Sequence, residues 1–351
     1  MAVMFESVVR QALHCGASDL HLSAGRPPMV RVHGTLHSLD PPAPAWHRED
    51  VQQLLQQLMT PAQWRAFETA HEDDFAFAHA DWGRWRVNAF EQHRGPALVM
   101  RAIPSTIPRL ADLQAPPLLD TLAQQSSGLI LVTGPTGCGK STLLAALLDH
   151  VNRTRQGHVL TIEDPIEFIH SPQQCMVNQR EVGLHTHSFE AALRSALRED
   201  PDVILIGELR DLATIRLALT AAETGHLVLA SLHTASAPHA VDRMVDVFPA
   251  EEKEVVRTLL AEALLAVVAQ TLCPRQEGPG RVAAHEVMVA TPAVRNLIRE
   301  GKTAQLYSAL QTGAQAGMQT LDQSLQALHH SGQISVDTLR SLARFPNAVS
   351  R

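Results

Sequence analysis

The sequence predicts an α/β fold in which a small N-terminal α/β unit precedes a core built on a parallel, doubly wound sheet. From Gly128 onward, short apolar segments rich in β-branched residues alternate with helical segments, which is typical of strands that are covered on both faces. A glycine-rich turn joins the first of these strands to a helix. Before about residue 102, apolar and polar residues alternate instead, as they do in half-buried strands.

Residues 1–102 are predicted to form one small sheet with helices on one side, and a chain of 351 residues leaves room for a second domain. Helical spacing covers Phe5 to Cys15, and Asp50 to Phe67 indicates one or two helices with a break at Thr60-Pro61. The predicted strands and turns are Asp19 to Leu22, Met29 to Val32, Phe75 to Phe77, Trp85 to Phe90 and Ala97 to Met100, with turns at 25–28 and at His33-Gly34.

The rest of the chain is predicted to hold a linker, a core and a helical end. Residues 103–127 are the predicted linker, with a short helix near 118–125, because they contain Pro104, Pro108, Pro116 and Pro117. Residues 128–290 are the predicted core, and residues 291–351 are a predicted C-terminal helical region with a polar tail. The strand signals of the core fall at 129–133, 159–162, 203–206 and 227–230.

Composition and charge narrow the class of protein. The formal net charge of −7 argues against nucleic acid as a partner. No run reaches the roughly 18 uncharged apolar residues that span a bilayer, since the closest, Leu259 to Leu272, is broken by Glu262. The N-terminus lacks the pattern of a signal peptide, so a cytoplasmic protein is expected. The 4 cysteines form no C-x-x-C pair, which indicates neither a disulfide framework nor a structural zinc site.

The most informative motif fits the P-loop pattern G-x-x-x-x-G-K-[ST] and lies between a predicted strand and a predicted helix. Backbone N–H groups and the helix dipole would there face the phosphates of a nucleotide such as ATP. Lys140 is predicted to reach the β- and γ-phosphates and Ser141 to hold Mg²⁺. Cys138 is expected to be a small filler, with a redox switch as the alternative. The predicted nucleotide-binding residues are Gly134, Pro135, Thr136, Gly137, Cys138, Gly139, Lys140, Ser141 and Thr142.

Carboxylates at the ends of core strands supply the groups that phosphoryl transfer to water needs. Glu208 follows the apolar strand 203–206, where a Walker B acid lies at the ligand edge of an α/β sheet; an N-cap-region acid before the next helix is the alternative. Glu163 follows strand 159–162 and is the candidate to position or activate water. His233 follows strand 227–230 and is placed to sense the phosphates, with a structural histidine as the equal alternative.

Four ordered motifs resemble the secretion-superfamily ATPases, and within them the ATPases that retract type IV pili. They match that family's Walker A, Asp box, Walker B and His box, and the resemblance runs from Gly16 to Asp322. It implies a PAS-like N-terminal domain, a RecA-like P-loop core and a homohexameric ring that hydrolyses ATP. It also implies a cytoplasmic location, peripheral at the inner membrane, where the ring drives a pilus platform protein and an accessory retraction ATPase is a possible partner. The motifs are Gly134 to Ser141, Thr161 to Phe168, Arg198 to Glu208 and Ala221 to His226.

The resemblance also assigns residues. The family's catalytic glutamate matches Glu163, its Walker B glutamate matches Glu208, which would support the metal, and its phosphate-contacting arginines match Arg86 and Arg101 best. Arg94 is a weaker match, and a surface charge or sheet-edge ion pair is the alternative for each arginine. Residues 293–300 resemble the retraction-specific helix A-I-R-N-L-I-R-E, with valine at the isoleucine position.

The sequence departs from the family pattern at two places, and three alternative functions are compatible with the motifs. Leu184-His185 replaces the usual Arg-Asp pair, and Ser231 begins S-L-H-T-A where T-L-H-T-T is usual. The rivals are an accessory paralogue of the retraction motor, a pilus assembly or type II secretion ATPase, and a nucleotide-gated scaffold without turnover. The absent C-x-x-C pair counts against the second rival, and the complete set of carboxylates counts against the third.

Overall fold

The computed structural model describes residues 2–32, 34–103 and 106–346. Three parts of the sequence-based predictions lie outside these residues, namely His33 of a turn, Pro104 of the linker and the last residues of the polar tail, 347–351. The chain divides between Thr106 and Ile107 into two compact units. None of the helices within the described residues is both long and apolar enough to span a membrane.

The first unit contains, within the described residues, a six-stranded antiparallel sheet in the order β3-β2-β1-β6-β5-β4 and three helices. Buried side chains of the strands and of all three helices form one core, which includes Trp46 and Trp85. Strand β3 has no counterpart in the predictions because its side chains are all exposed. The elements are α1 Ala2–His14, β1 Asp19–Ser23, β2 Met29–Val32, β3 Thr35–Ser38, α2 Arg48–Leu58, α3 Pro61–Ala70, β4 Glu72–His79, β5 Gly83–Gln92 and β6 Gly95–Ile103.

The second unit is built around a seven-stranded sheet within the described residues, in the order β13-β12-β7-β11-β10-β8-β9. Its bounds begin with α4 Leu118–Leu122, β7 Gly128–Thr133, α5 Lys140–Thr154, β8 Gly157–Glu163, β9 Cys175–Glu181, α6 Phe189–Ala196, β10 Val203–Ile206, α7 Leu212–Glu223 and β11 Leu227–Leu232. They continue with α8 Ala237–Asp246, α9 Lys253–Ala263, β12 Leu264–Pro274, β13 Arg281–Val289, α10 Pro292–Arg299, α11 Leu306–Thr312, α12 Leu321–His330 and α13 Val336–Leu342.

The sheet of the second unit corrects the expectation of a purely parallel arrangement. Its strands are parallel except β13, which runs antiparallel to β12 at one edge. Strands β9, β12 and β13 were not predicted. The apolar segment Leu259 to Leu272, which is too short to span a bilayer, contains the end of α9 and most of β12. A continuous apolar run does not by itself separate a buried strand from a buried helix.

Both faces of this sheet are covered, as the apolar strands predict. In β7, Leu129 and Leu131 enter one core cluster, while Ile130 and Val132 enter the cluster on the side of α5. Residues of the predicted linker also contribute to the second cluster, since Leu119 of α4 is buried there. Because β7, β11, β10 and β8 are parallel neighbours, their carboxyl ends meet at one edge of the sheet.

Candidate active site

The P-loop connects β7 to α5 and is shaped by three glycines with positive φ. Gly134, Gly137 and Gly139 have φ of +146°, +77° and +89°, a region that residues with a Cβ rarely adopt. There is also no room for a Cβ at Gly134 or Gly139. A Cβ on Gly134 would lie 2.5 Å from the carbonyl oxygen of Gln270, and a Cβ on Gly139 would lie 2.7 Å from the Gln270 amide nitrogen. The loop is therefore a close-fitting backbone cradle of the kind that binds phosphate.

Lys140, the first residue of α5, lies across this cradle. Its ammonium group donates to the carbonyl oxygens of Gly134 at 2.8 Å and Pro135 at 3.1 Å. Burial lowers the pKa of Lys140, and the negative charges of Glu208 and Glu167 oppose that shift. The acceptors that hold Lys140 are neutral backbone carbonyls. Charged phosphate oxygens form stronger hydrogen bonds with an ammonium group and can replace them.

His233 joins Lys140 to Glu208. Its Nδ1 lies 3.4 Å from the Lys140 ammonium nitrogen, and its Nε2 lies 3.3 Å from a Glu208 carboxylate oxygen. An ammonium group only donates, so Nδ1 must accept and Nε2 carries the proton that faces Glu208. The start of α5 and the loops that follow β10 and β11 therefore meet in one cluster of polar side chains.

Glu208 does not belong to the cap of the following helix. Helix α7 begins at Leu212, and its N-cap is Asp211, whose carboxylate accepts from the Thr214 backbone N–H. The alternative of an N-cap-region acid is therefore wrong. Instead, Glu208 accepts from the Arg210 guanidinium at 2.8 Å, and Arg210 also reaches Asp164 at 3.2 Å.

Glu163 ends β8 and is held by two side-chain donors. Its Oε1 accepts from the Thr161 hydroxyl at 2.7 Å and from the Gln179 side-chain amide at 3.1 Å. Burial raises the pKa of Glu163, and these hydrogen bonds, which favour the carboxylate, counteract part of that rise. A half-buried carboxylate of fixed orientation and raised pKa suits the positioning and deprotonation of water.

The residues present fit Mg²⁺ bound together with a nucleotide. Within the described part of the chain, no group of three or more His, Cys, Asp or Glu side chains is arranged to hold a metal ion by itself. Mg²⁺ usually takes one or two protein oxygens and completes its shell with phosphate oxygens and water. Ser141, which follows Lys140 in the first turn of α5, and Glu208 can supply those protein oxygens.

Cys138 is buried in the loop, and burial raises the pKa of its thiol. Because the thiolate is the form that oxidants attack, this environment favours the filler role over the redox switch.

Arg86 and Arg101 lie in the N-terminal unit, directly opposite each other on β5 and β6. Directly opposed residues present their side chains on the same face of a sheet, so the two guanidinium groups share one face. Arg86 pairs with Asp74 at 2.6 Å, and Arg101 pairs with Asp19 at 2.8 Å. Arg94 instead donates to the Ala24 carbonyl at 3.2 Å.

Arg295 of the predicted retraction-specific helix caps another helix. That helix is α10, in which Val294 and Ile298 are buried. The Arg295 guanidinium donates to the Ala290 carbonyl at 2.9 Å and to the carbonyls of Ala261 and Glu262 in the last turn of α9. A cation at a helix C-terminus satisfies otherwise unpaired carbonyls and interacts favourably with the helix dipole.

Comparison with known proteins places these features in a family. The family model for type II/IV secretion system proteins matches residues 2–340. This chain belongs to the type II/IV secretion system protein family.

Relatives within this family align over nearly the whole chain. The type IV pilus retractation ATPase PilT of Pseudomonas aeruginosa is 55% identical over 94% of this chain and 95% of its own length. The type IV pilus ATPase PilU of the same organism is 42% identical over 95% of this chain and 87% of its own. A crystal structure of the pilus retraction motor PilT with bound ADP superposes with a TM-score of 0.88, at 42% identity and 97% coverage of both chains. The predicted fold class is confirmed.

Sequence reasoning missed several side chains that touch the site residues. Gln179 contacts Glu163, Arg210 contacts Glu208, and Gln270 contacts the P-loop. Of these three residues, only Arg210 could have been found from the sequence, because it lies two positions after Glu208. Gln179 and Gln270 lie on β9 and β12, strands that were not predicted, and glutamine in a strand has no pattern that marks it as functional.

Proposed function

We propose that this protein is a Mg²⁺-dependent ATPase that powers the retraction of type IV pili. One observation carries the proposal, namely that Lys140, His233 and Glu208 meet beside a glycine cradle while Glu163 ends a neighbouring strand of the same sheet. The similarity over nearly the full chain to a pilus retraction motor that binds ADP supports both the nucleotide and the task.

In the proposed reaction, Lys140 exchanges the loop carbonyls for phosphate oxygens, and loop N–H groups bind the remaining oxygens. Glu163 orients a water molecule and accepts its proton as the water oxygen attacks the γ-phosphorus; the bond from that phosphorus to the β,γ-bridging oxygen breaks and ADP leaves. His233, held by Glu208, senses the γ-phosphate through its contact with Lys140. Ser141 and Glu208 would hold Mg²⁺, which would neutralise charge on the phosphates.

We assign Arg86 and Arg101 as the cations that clamp the γ-phosphate, as the family resemblance implies. Their position on one face of a sheet supports the assignment, because two guanidinium groups there can bind one phosphoryl group. The aspartates that pair with them would be displaced on binding. Since both arginines belong to the N-terminal unit, binding would couple hydrolysis to domain movement.

The proposed assembly is a homohexameric ring at the cytoplasmic face of the inner membrane, which acts on a pilus platform protein. The proposed domains are 1–102, 128–290 and 291–351, with the segment 103–127 as connection. An accessory retraction ATPase is a second proposed partner. The greater identity to PilT, 55% against 42% to PilU, favours the principal motor over the accessory role.

The deciding experiment deletes the gene in its own host, counts surface pili and scores surface motility. We expect many pili and no motility, restored by the wild-type gene and not by Lys140→Ala. Few or no pili would point to an assembly ATPase and overturn the proposal. Normal pilus numbers with weakened motility would favour the accessory role. Phosphate release by the purified protein separates a motor from a scaffold without turnover.

A further inference from the structure

A buried chain of hydrogen bonds runs from the P-loop to the C-terminal helices through Gln270 and His285, two residues that have no role in the proposed reaction. The Gln270 side chain on β12 donates to the Cys138 carbonyl in the loop at 2.5 Å. The Gln270 amide oxygen lies 3.1 Å from Nε2 of His285 on β13. Both side chains are almost fully buried, with 5% and 3% exposure, so each unmet hydrogen bond would be costly.

The chemistry of the partners fixes every proton in this chain. A carbonyl oxygen only accepts, so the Gln270 amide nitrogen must face Cys138 and its oxygen must face His285. That oxygen cannot donate, so His285 carries its proton on Nε2. Burial lowers the pKa of His285 to about 4, which keeps the ring neutral and leaves Nδ1 unprotonated. His285 therefore holds the Gln270 amide in the orientation that the Cys138 carbonyl requires.

The hydrogen bond to Cys138 sets the direction of a peptide group in the loop. In a trans peptide the carbonyl and the following N–H point in opposite directions. With the Cys138 oxygen held towards β12, the Gly139 N–H points away from β12. Gly139 is the N-cap residue of α5. N–H groups at the start of a helix have no partner within the helix and can bind anions.

The other end of the chain is anchored in the C-terminal region. The Ser324 hydroxyl at the start of α12 accepts from the His285 backbone N–H at 3.0 Å, and the Gln319 amide donates to the His285 carbonyl at 3.0 Å. Side chains of α12 also share a core cluster with Cys273 of β12 and Ala284 of β13. The position of His285 thus depends on the packing of the C-terminal helices.

We infer that Gln270 is a positioning residue for the nucleotide, that His285 orients it, and that this pair links the C-terminal helices to phosphate affinity. The inference rests on the proposed function, because it requires a P-loop that binds nucleotide. Neither side chain needs to touch the ligand. Gln270 acts through the Cys138–Gly139 peptide, and His285 acts through Gln270.

The test measures the affinity for ADP with Mg²⁺ by calorimetry, in the full-length protein. Gln270→Met keeps length and volume but removes both hydrogen bonds. We expect roughly tenfold weaker ADP binding, because the buried hydrogen bond that orients the Cys138–Gly139 peptide is lost. His285→Phe should weaken binding in the same direction. His285→Gln, whose amide nitrogen can take the place of Nε2–H, should restore most of the affinity.

The matched control is Val267→Ala, on the same strand but buried in the cluster on the opposite face. It should lower the unfolding temperature without changing ADP affinity. Wild-type affinity in Gln270→Met, or equal weakening in Val267→Ala, would overturn the inference and leave the proposed function standing. A wild-type protein that binds no ADP would overturn both. The unfolding temperature of each variant, with and without ADP, separates weakened binding from failure to fold.

Discussion

The hydrogen bond from Gln179 to Glu163 can be removed without touching the proposed catalytic group. The Gln179 amide nitrogen donates to Glu163 at 3.1 Å and to the Phe168 carbonyl at 2.8 Å, and its oxygen accepts from the His170 N–H at 2.8 Å. Gln179→Met retains the length of the side chain and removes the donor. Thr161 then remains as the side-chain donor to the carboxylate.

The expected result is a shift in pH dependence. Burial already raises the pKa of Glu163, and the loss of a donor that favours the carboxylate raises this pKa further. A hydrogen bond to a charged group is worth about 1.5–3 kcal/mol, and its loss removes stabilisation from the carboxylate form, so the pKa of Glu163 rises. In the proposed role of Glu163 as the base, the carboxylate is the active form. Activity is therefore lost as the pH falls through the raised pKa, and the acid limb moves to higher pH.

The assay is steady-state phosphate release as a function of pH, with wild type and variant measured side by side. Gln174→Met is the matched control, because Gln174 precedes β9, is exposed, and its side chain donates only to the Arg153 carbonyl among the contacts described. The control should keep the wild-type acid limb. If Gln179→Met instead lowers turnover by the same factor at every pH, Gln179 has only a structural role and the reasoning fails.

Three further predictions test other parts of the site. Glu163→Gln should reduce phosphate release by about 10²- to 10⁴-fold while ADP affinity measured by calorimetry is unchanged; a variant with intact turnover would remove Glu163 from its role. Gly139→Ala should lose ADP binding, because its Cβ would lie 2.7 Å from the Gln270 amide at a φ of +89°; unaltered calorimetric affinity would contradict the close-fitting cradle. Arg295→Ala should lower the free energy of unfolding in denaturant by about 1–2 kcal/mol through loss of the α9 cap. The exposed Arg299→Ala should change it little, and equal effects would argue against the cap.

Much of the site was predictable because its signals are local. The P-loop is one continuous motif, and its flanking strand and helix have distinct periods of apolar residues. Glu163, Glu208 and His233 were found by one rule, that polar residues directly after core strands collect at one sheet edge. The apolar strands themselves predicted the sheet covered on both faces. The assigned roles of these residues stay predictions until turnover is measured.

Other features depend on the tertiary structure. Strand β9 mixes exposed and buried positions, and β12 is a continuous apolar run. Neither shows the alternation of apolar and polar residues from which a strand can be predicted. The contact between Gln270 and Cys138 joins residues 132 positions apart. Such contacts arise from which strands become neighbours and in what register.

The sequence by itself determined the α/β class, the phosphate cradle and the acids around it. Only the tertiary structure decided that β13 runs antiparallel, that Gln179 and Thr161 share one oxygen of Glu163, and that His285 stands behind the P-loop. The physical reason is that only interactions between residues close in the chain produce a recognisable sequence pattern. Backbone conformation and burial impose short repeating patterns, whereas a single buried hydrogen bond between distant strands imposes none.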